Sequence, residues 1–315
     1  MHIRRRLAAL FPSLLLFTAS ATAGERPVKV FILAGQSNME GAGVIASNPD
    51  RNGGRGTLEH LVRDPATADR YAHLKDEKGA WRVREDVWIS YFDRKGGLTV
   101  GYGAKEQQVG PELQFGHVVG DHFDEQVLLV KVAWGGKSLA VDFRPPSAGG
   151  EVGPSYTKLF EEVRGVLSDL KAHFPSYAGQ GYELAGFAWH QGWNDRVNQA
   201  HNDAYQENLT HFIRDLRKEL KAPDLPFALA ETGMSGHEEQ HPRALSLMKA
   251  QAAVAKLPEF RGNVGFVGTR DFFRPADQSP SRQAYHWNNN AETYCLIGGG
   301  LAESLIELIE AGEGE

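Results

Sequence analysis

A serine hydroxyl attacks an ester only when a base takes its proton and donors wait for the charge that develops on the carbonyl oxygen. The stretch Gly35-Gln36-Ser37-Asn38-Met39-Glu40-Gly41 follows an apolar run and puts Ser37 on the turn that leaves it. Two roles suit a serine there. It can be a nucleophile, with N–H groups at the start of a following helix serving the oxyanion, or it can cap that helix. Far downstream, His286 lies in Gln283-Ala284-Tyr285-His286-Trp287-Asn288-Asn289-Asn290, just before the last helical stretch. A neutral imidazole suits proton acceptance near pH 7, and this position singles out His286 among the 12 histidines. Two more polar, Gly-containing turns follow apolar runs: Trp134-Gly135-Gly136-Lys137-Ser138 and Trp189-His190-Gln191-Gly192-Trp193-Asn194-Asp195. Either block alone reads equally well as ordinary turn chemistry. Converging with Ser37 and His286, they would supply what acyl transfer needs: a nucleophile, a base and oxyanion donors.

The elements that must bring these turns together are visible as five strand-length apolar runs. They are Val28 to Leu33, Gln126 to Val132, Leu184 to Trp189, Pro226 to Ala230 and Val264 to Val267. Near-continuous apolarity implies burial on both faces, as in a parallel sheet covered by helices. Between them, Leu159, Val163, Val166, Leu167 and Leu170 repeat at helical spacing, as do Tyr205, Leu209, Phe212, Ile213, Leu216 and Leu220. Leu245 to Leu257 is Ala-rich and helical, and a last helix runs from about Ala291 to Ala311, weakened by Gly298-Gly299-Gly300. This alternation predicts an α/β fold, a three-layer α/β/α sandwich on a central five-stranded parallel sheet, with its site at the carboxyl ends of the strands. Residues 48–105 break the pattern and read as a loop-rich insertion with short strand-like pieces such as Val87 to Phe92, either covering part of the site's mouth or making a passive surface excursion.

Residues 1–23 have the pattern of an export signal: Arg4 to Arg6, an apolar stretch from Leu7 to Thr18, and Ala21-Thr22-Ala23. The expectation is a secreted or periplasmic protein with no membrane attachment after cleavage, residues 24–315 forming one domain. A net charge of −6 argues against nucleic acid as a partner, because phosphate neutralisation needs clustered Lys and Arg. The single cysteine, Cys295, cannot form an internal disulfide and reads as buried packing. His190 and Asp195, like His117 and His122, are five residues apart, the wrong spacing for two ligands on one helix face. With no H-E-x-x-H, Cys pair or EF-hand loop either, no metal is expected.

Together, GQSNMEG, WGGKS, WHQGWND and YHWNNNAETYCLIG resemble the blocks of the SGNH hydrolase superfamily. Within it they are most similar to sialate O-acetylesterase-like carbohydrate esterases, in order and placement across nearly the whole of residues 24–315. The resemblance implies a flavodoxin-like fold, an acetylated carbohydrate as substrate, and no metal or organic cofactor. It makes Ser37 the nucleophile and His286 the base and later acid. Oxyanion donors would be the N–H groups of Ser37 and Gly136 (or its neighbour Gly135) and a side-chain amide of Gln191 or Asn194. Gln36, Trp193 and Trp287 are the expected substrate contacts. Two departures stand out. Trp193 follows Gly192 where the family often has Glu, and Gln283 stands where many members have an aspartate three residues before the histidine. Asp195, Asp271 and Asp277 are the candidate replacements; failing these, a backbone carbonyl near Gln283 or Ala284 would hold the ring in a Ser–His dyad. Two other classes remain: a non-catalytic carbohydrate binder using Trp81, Trp193 and Trp287 as platforms, and a lipid or thioester hydrolase of the same superfamily. The sugar, sialic acid or a plant or algal polysaccharide, stays open.

Overall fold

The structure, a computed structural model, describes residues 26–314. The export signal expected for residues 1–23 lies outside the described residues. Among the described residues nine strands form: β1 (Val28–Gly35), β2 (Gly43–Val44), β3 (Arg84–Tyr91), β4 (Arg94–Leu98), β5 (Gln108–Val109), β6 (Val127–Ala133), β7 (Tyr182–His190), β8 (Phe227–Ala230) and β9 (Val264–Val267). Seven make one sheet in the order β4-β3-β6-β1-β7-β8-β9, and β2 pairs with β5 in a small ribbon. All neighbours in the large sheet run parallel except β3 and β4, which pair antiparallel. The expected five parallel strands are therefore present, but the sheet is larger than five. The hairpin comes from within residues 48–105, where Val87, Ile89 and Tyr91 alternate with Trp88 and all are buried. A strand with both faces covered can extend the edge of a parallel core.

The helices that matter for the site are α1 (Ser37–Glu40), α2 (Glu112–His122), α3 (Pro154–Ser168), α4 (Tyr205–Leu220), α5 (Pro242–Val254) and α6 (Ala291–Glu313). Side chains alternate across a strand, so β1 shows directly how the layers divide. Val28, Val30, Ile32 and Ala34 pack with Leu159 and Val163 of α3 and Leu209, Phe212 and Ile213 of α4. Phe31 and Leu33 pack with Phe115 of α2 and Ile297 and Leu301 of α6. The sandwich is α/β/α as expected. The glycine run does not break α6. A side chain at Gly298 would put its Cβ 2.0 Å from the Pro111 carbonyl oxygen, so this glycine allows α6 and the start of α2 to touch.

Residues 48–105 are built into the body. Leu58, Leu61, Tyr71 and Leu74 form a small core with Val109, Leu113, Ala291 and Cys295. Asn52 donates from Nδ2 to the carbonyls of Ala276 and Ser279, each at 2.7 Å, bracing the segment that leads to His286. Cys295 is buried in that small core, as expected.

One polar group stands deep in this architecture. Lys131 of β6 is fully buried, and its Nζ donates to Glu112 Oε2 (2.6 Å), the Glu40 carbonyl (2.6 Å) and the Tyr102 carbonyl (2.7 Å). Burial pushes the lysine's pKa down while Glu112 pulls it back up. Removing one partner of such a pair strands a charge without water. Glu112→Ala is expected to lower stability by about 3–5 kcal/mol in a denaturant titration. A loss below about 1 kcal/mol would mean that Lys131 is not held as a buried cation.

Candidate active site

Register places the turns. Gly35, the last residue of β1, pairs with Ala133 on one side and His190 on the other, so β1, β6 and β7 all end at one level. Ser37, Gly135-Gly136 and Gln191–Asp195 leave the sheet together at its carboxyl edge. Gly35 has φ +155°, and a Cβ there would lie 2.2 Å from the His190 carbonyl oxygen, so only glycine lets β1 turn away beside β7. Ser37 is the first residue of α1 and is half-buried; Gln36 holds the cap position, and its side chain makes no capping bond. The capping role considered for Ser37 is thereby removed. At the first helical position its N–H has no intrahelical partner and is free for another acceptor.

The residue after the serine ties the far end of the chain to it. Asn38 is buried; its Nδ2 donates to the Tyr285 carbonyl (3.0 Å) and lies 3.3 Å from Met234 Sδ. The Tyr294 hydroxyl, 2.9 Å from Asn38 Oδ1, is also 3.3 Å from the His286 carbonyl. Ser37 and His286 thus each adjoin one end of the same hydrogen bond. The turn carrying His286 is strained: Trp287, Asn288 and Asn289 have φ of +51°, +53° and +60°. Asn tolerates the left-handed region better than most residues, which explains the asparagine run. Asn289 secures it by donating to the Ala42 carbonyl at 3.0 Å, and Asn288 by donating to Arg274 at 3.0 Å.

His286 is half-buried, and burial alone pushes its pKa below the ordinary 6.5. None of the three candidate acids reaches it. Asp195 is fully buried and accepts from the Leu139 N–H (2.8 Å), the Ala140 N–H (2.9 Å) and Gln191 Nε2 (2.6 Å). Asp271 faces His237 at 2.9 Å, and Asp277 lies on the 3-10 turn Ala276–Gln278, whose backbone holds Asn52 and Arg55. The Gln283 carbonyl does contact His286, but it accepts the main-chain N–H (2.8 Å) rather than a ring N–H.

Four more expectations need correction. Gln191 is 1% exposed, and its amide N–H groups are spent on Asp195 and the Lys137 carbonyl (2.9 Å). It braces two turns against each other and has no donor left for an oxyanion. Gln36 is buried too; its Oε1 accepts from the N–H groups of Gly192 (3.1 Å) and Asn194 (3.3 Å), so it cannot meet a substrate. Trp287 is 0% exposed and lies against the His190 ring at 6.4 Å, making it a core side chain. Trp81 packs under Lys75, with Nζ 3.3 Å from the ring centroid, in the body of residues 48–105. His190 itself is fully buried, its pKa pushed down to about 4 by desolvation against a weaker opposing pull from the Ala230 backbone, so it stays neutral.

The donors left open are few. Gly136 is exposed, and Asn194, half-buried, donates one N–H to the Gly136 carbonyl. Trp193 remains accessible in part, with the Arg196 guanidinium 3.8 Å over one face and the Tyr285 ring 5.9 Å away. Tyr285 is 42% exposed, lies 4.5 Å from the His286 ring, and was not singled out from sequence. Asn38 and Tyr294 were missed as well, although both stand inside the quoted blocks. Among the described residues, no group of three or more His, Cys, Asp or Glu side chains is disposed to hold a metal ion, and no helix is long and apolar enough to cross a membrane.

Residues 27–307 match the family model described as carbohydrate esterase, sialic acid-specific acetylesterase. The chain belongs to that family. It is thus a carboxylic ester hydrolase acting on acetylated carbohydrate. A probable carbohydrate esterase of Arabidopsis thaliana is 26% identical over 203 residues, covering 64% of this chain and 67% of the relative. Among solved structures, an Arabidopsis thaliana protein covers 89% of this chain and 98% of its own length at 18% identity and TM-score 0.58. NanS covers 92% and 99% at 14% identity and TM-score 0.55. At these identities the structural matches speak for the fold alone, and that fold is the SGNH-type sandwich expected from the sequence blocks.

With no carboxylate against its ring, His286 of the esterase should lose its proton early. Its titration, followed by NMR of labelled histidine, is expected to have a midpoint below pH 6.5, leaving the ring neutral at pH 7. A midpoint at or above about 7 would require a stabilising anion beside the ring and would contradict a ring shifted by burial alone.

Proposed function

We propose that this esterase is exported and removes O-acetyl groups from a carbohydrate, sialic acid or a plant or algal polysaccharide, through an acyl-enzyme on Ser37. The observation that carries this reading is the Asn38 bridge, because it locks the Ser37 turn and the His286 loop to each other. In the first step His286 takes the Ser37 hydroxyl proton as Oγ bonds to the ester carbonyl carbon. The resulting oxyanion is met by the N–H groups of Ser37 and Gly136 and by the free N–H of Asn194. Collapse breaks the bond to the sugar oxygen, which leaves with the proton from His286. Water then attacks the acyl-serine, His286 taking and returning a proton in the same way.

The half-buried ring of Trp193 and the exposed ring of Tyr285 are the sugar platforms of this reading. Flat apolar faces suit the C–H faces of a pyranose, and their polar ends suit its hydroxyls. Trp287 has no part in this, being enclosed. Acetate release from a panel of acetylated glycans, with Ser37→Ala as control, tests the proposal. At least one glycan should yield acetate, with the variant slower by about a thousandfold or more. Release by the variant within about tenfold of wild type would remove Ser37 from the nucleophile's role.

A further inference from the structure

Glu40 ends α1 and has no part in the steps above, yet its side chain reaches the oxyanion turn. It lies three residues after Ser37, on the same side of one helical turn. Its backbone is fixed from below, because Lys131 donates to the Glu40 carbonyl at 2.6 Å. Its carboxylate is half-buried, with Oε2 close to Gly135 and the Tyr91 hydroxyl 3.4 Å from Oε1. Burial raises the acid's pKa, and Lys131, Tyr91, Arg94 and the Gly135 amide all work to keep it ionised. Gly135 is exposed, and the Glu40 carboxylate is its nearest neighbour outside its own turn. A Cβ on it would stand 2.9 Å from Glu40 Oε2 and 3.8 Å from Ser37 Cβ.

We propose that Glu40 is a positioning residue, whose carboxylate accepts from the Gly135 N–H and sets the Gly135-Gly136 turn against Ser37. Two adjacent glycines have more backbone freedom than any other pair, so a turn made of them needs anchors. It has one on each side: the Glu40 carboxylate at the Gly135 amide, and the Asn194 amide at the Gly136 carbonyl. The Gly136 N–H lies between these anchors. The proposal rests on the reading of Ser37 as nucleophile, since an aimed Gly136 N–H matters only if an oxyanion forms beside that serine.

The two properties of the carboxylate, reach and acceptor oxygen, separate in a pair of variants. E40D keeps the charge but withdraws the oxygen by one methylene. E40Q loses the charge but keeps an oxygen that can accept from the same N–H. With the full chain and 4-nitrophenyl acetate as probe, E40D is expected to lose about ten- to a hundredfold in kcat with KM within about twofold, the pattern of a misplaced transition-state donor. E40A should fall at least as far, and E40Q should recover most of what E40A loses. If E40A folds poorly, the E40D and E40Q pair still decides. Wild-type kcat in E40D, or E40Q as slow as E40D, overturns the proposal. S37A run alongside separates the two levels. If S37A is dead and E40D unaffected, only the role of Glu40 falls; if S37A is fully active, the nucleophile reading falls first.

Discussion

The buried amide of Asn38 is the contact on which the site's geometry depends. Its Nδ2 bond to the Tyr285 carbonyl joins segments 247 residues apart, and its Oδ1 accepts from Tyr294, the residue that also contacts the His286 carbonyl. A hydrogen bond enclosed in protein is strengthened by its surroundings, and leaving either partner unmade costs about 1–3 kcal/mol. That cost makes the arrangement stiff. The strained backbone from Trp287 to Asn289 is affordable only because Asn288, Asn289 and Asn38 hold it from three directions. Position of the histidine relative to the serine is therefore a property of buried amides rather than of a carboxylate at the ring.

A second buried network holds the other side. Asp195 gathers two backbone N–H groups and the Gln191 amide, Gln191 spans to Lys137, and Gln36 collects the Gly192 and Asn194 N–H groups. The turns after β1, β6 and β7 are thereby sewn together just behind the exposed donors. Satisfaction is incomplete. Gln191 Oε1 and Trp287 Nε1 are buried without a partner.

The layers were legible because continuous apolar runs and three-to-four spacing are one-dimensional signals. Val28 to Leu33 reads as a strand from its own residues, and α4 from its own stripe. The hairpin Arg84–Leu98 was legible only in part: Val87 to Phe92 reads as strand-like, but the first residues are charged and Gly96 and Gly97 look like loop. At the site, Ser37 and His286 could be nominated by type and by place relative to strands and helices. What escaped was exposure. Trp287 and Tyr285 are both aromatics next to one histidine, and nothing local says that a positive φ turns one inward while the other faces out. Gln36 and Gln191 carry donors like any amide, and only the fold shows those donors already used. Asn38 and Tyr294 were hidden for the same reason, since their value lies in partners hundreds of residues away.

The central claim is that Ser37 carries the acyl group and that His286 activates it. Its most direct test is labelling by a fluorophosphonate, which bonds covalently to an activated serine, followed by peptide mass mapping. A single adduct on the peptide holding Ser37, lost in His286→Ala though that variant remains folded, is the predicted result. An active preparation that is labelled on another serine, or that labels Ser37 equally well without His286, would contradict it.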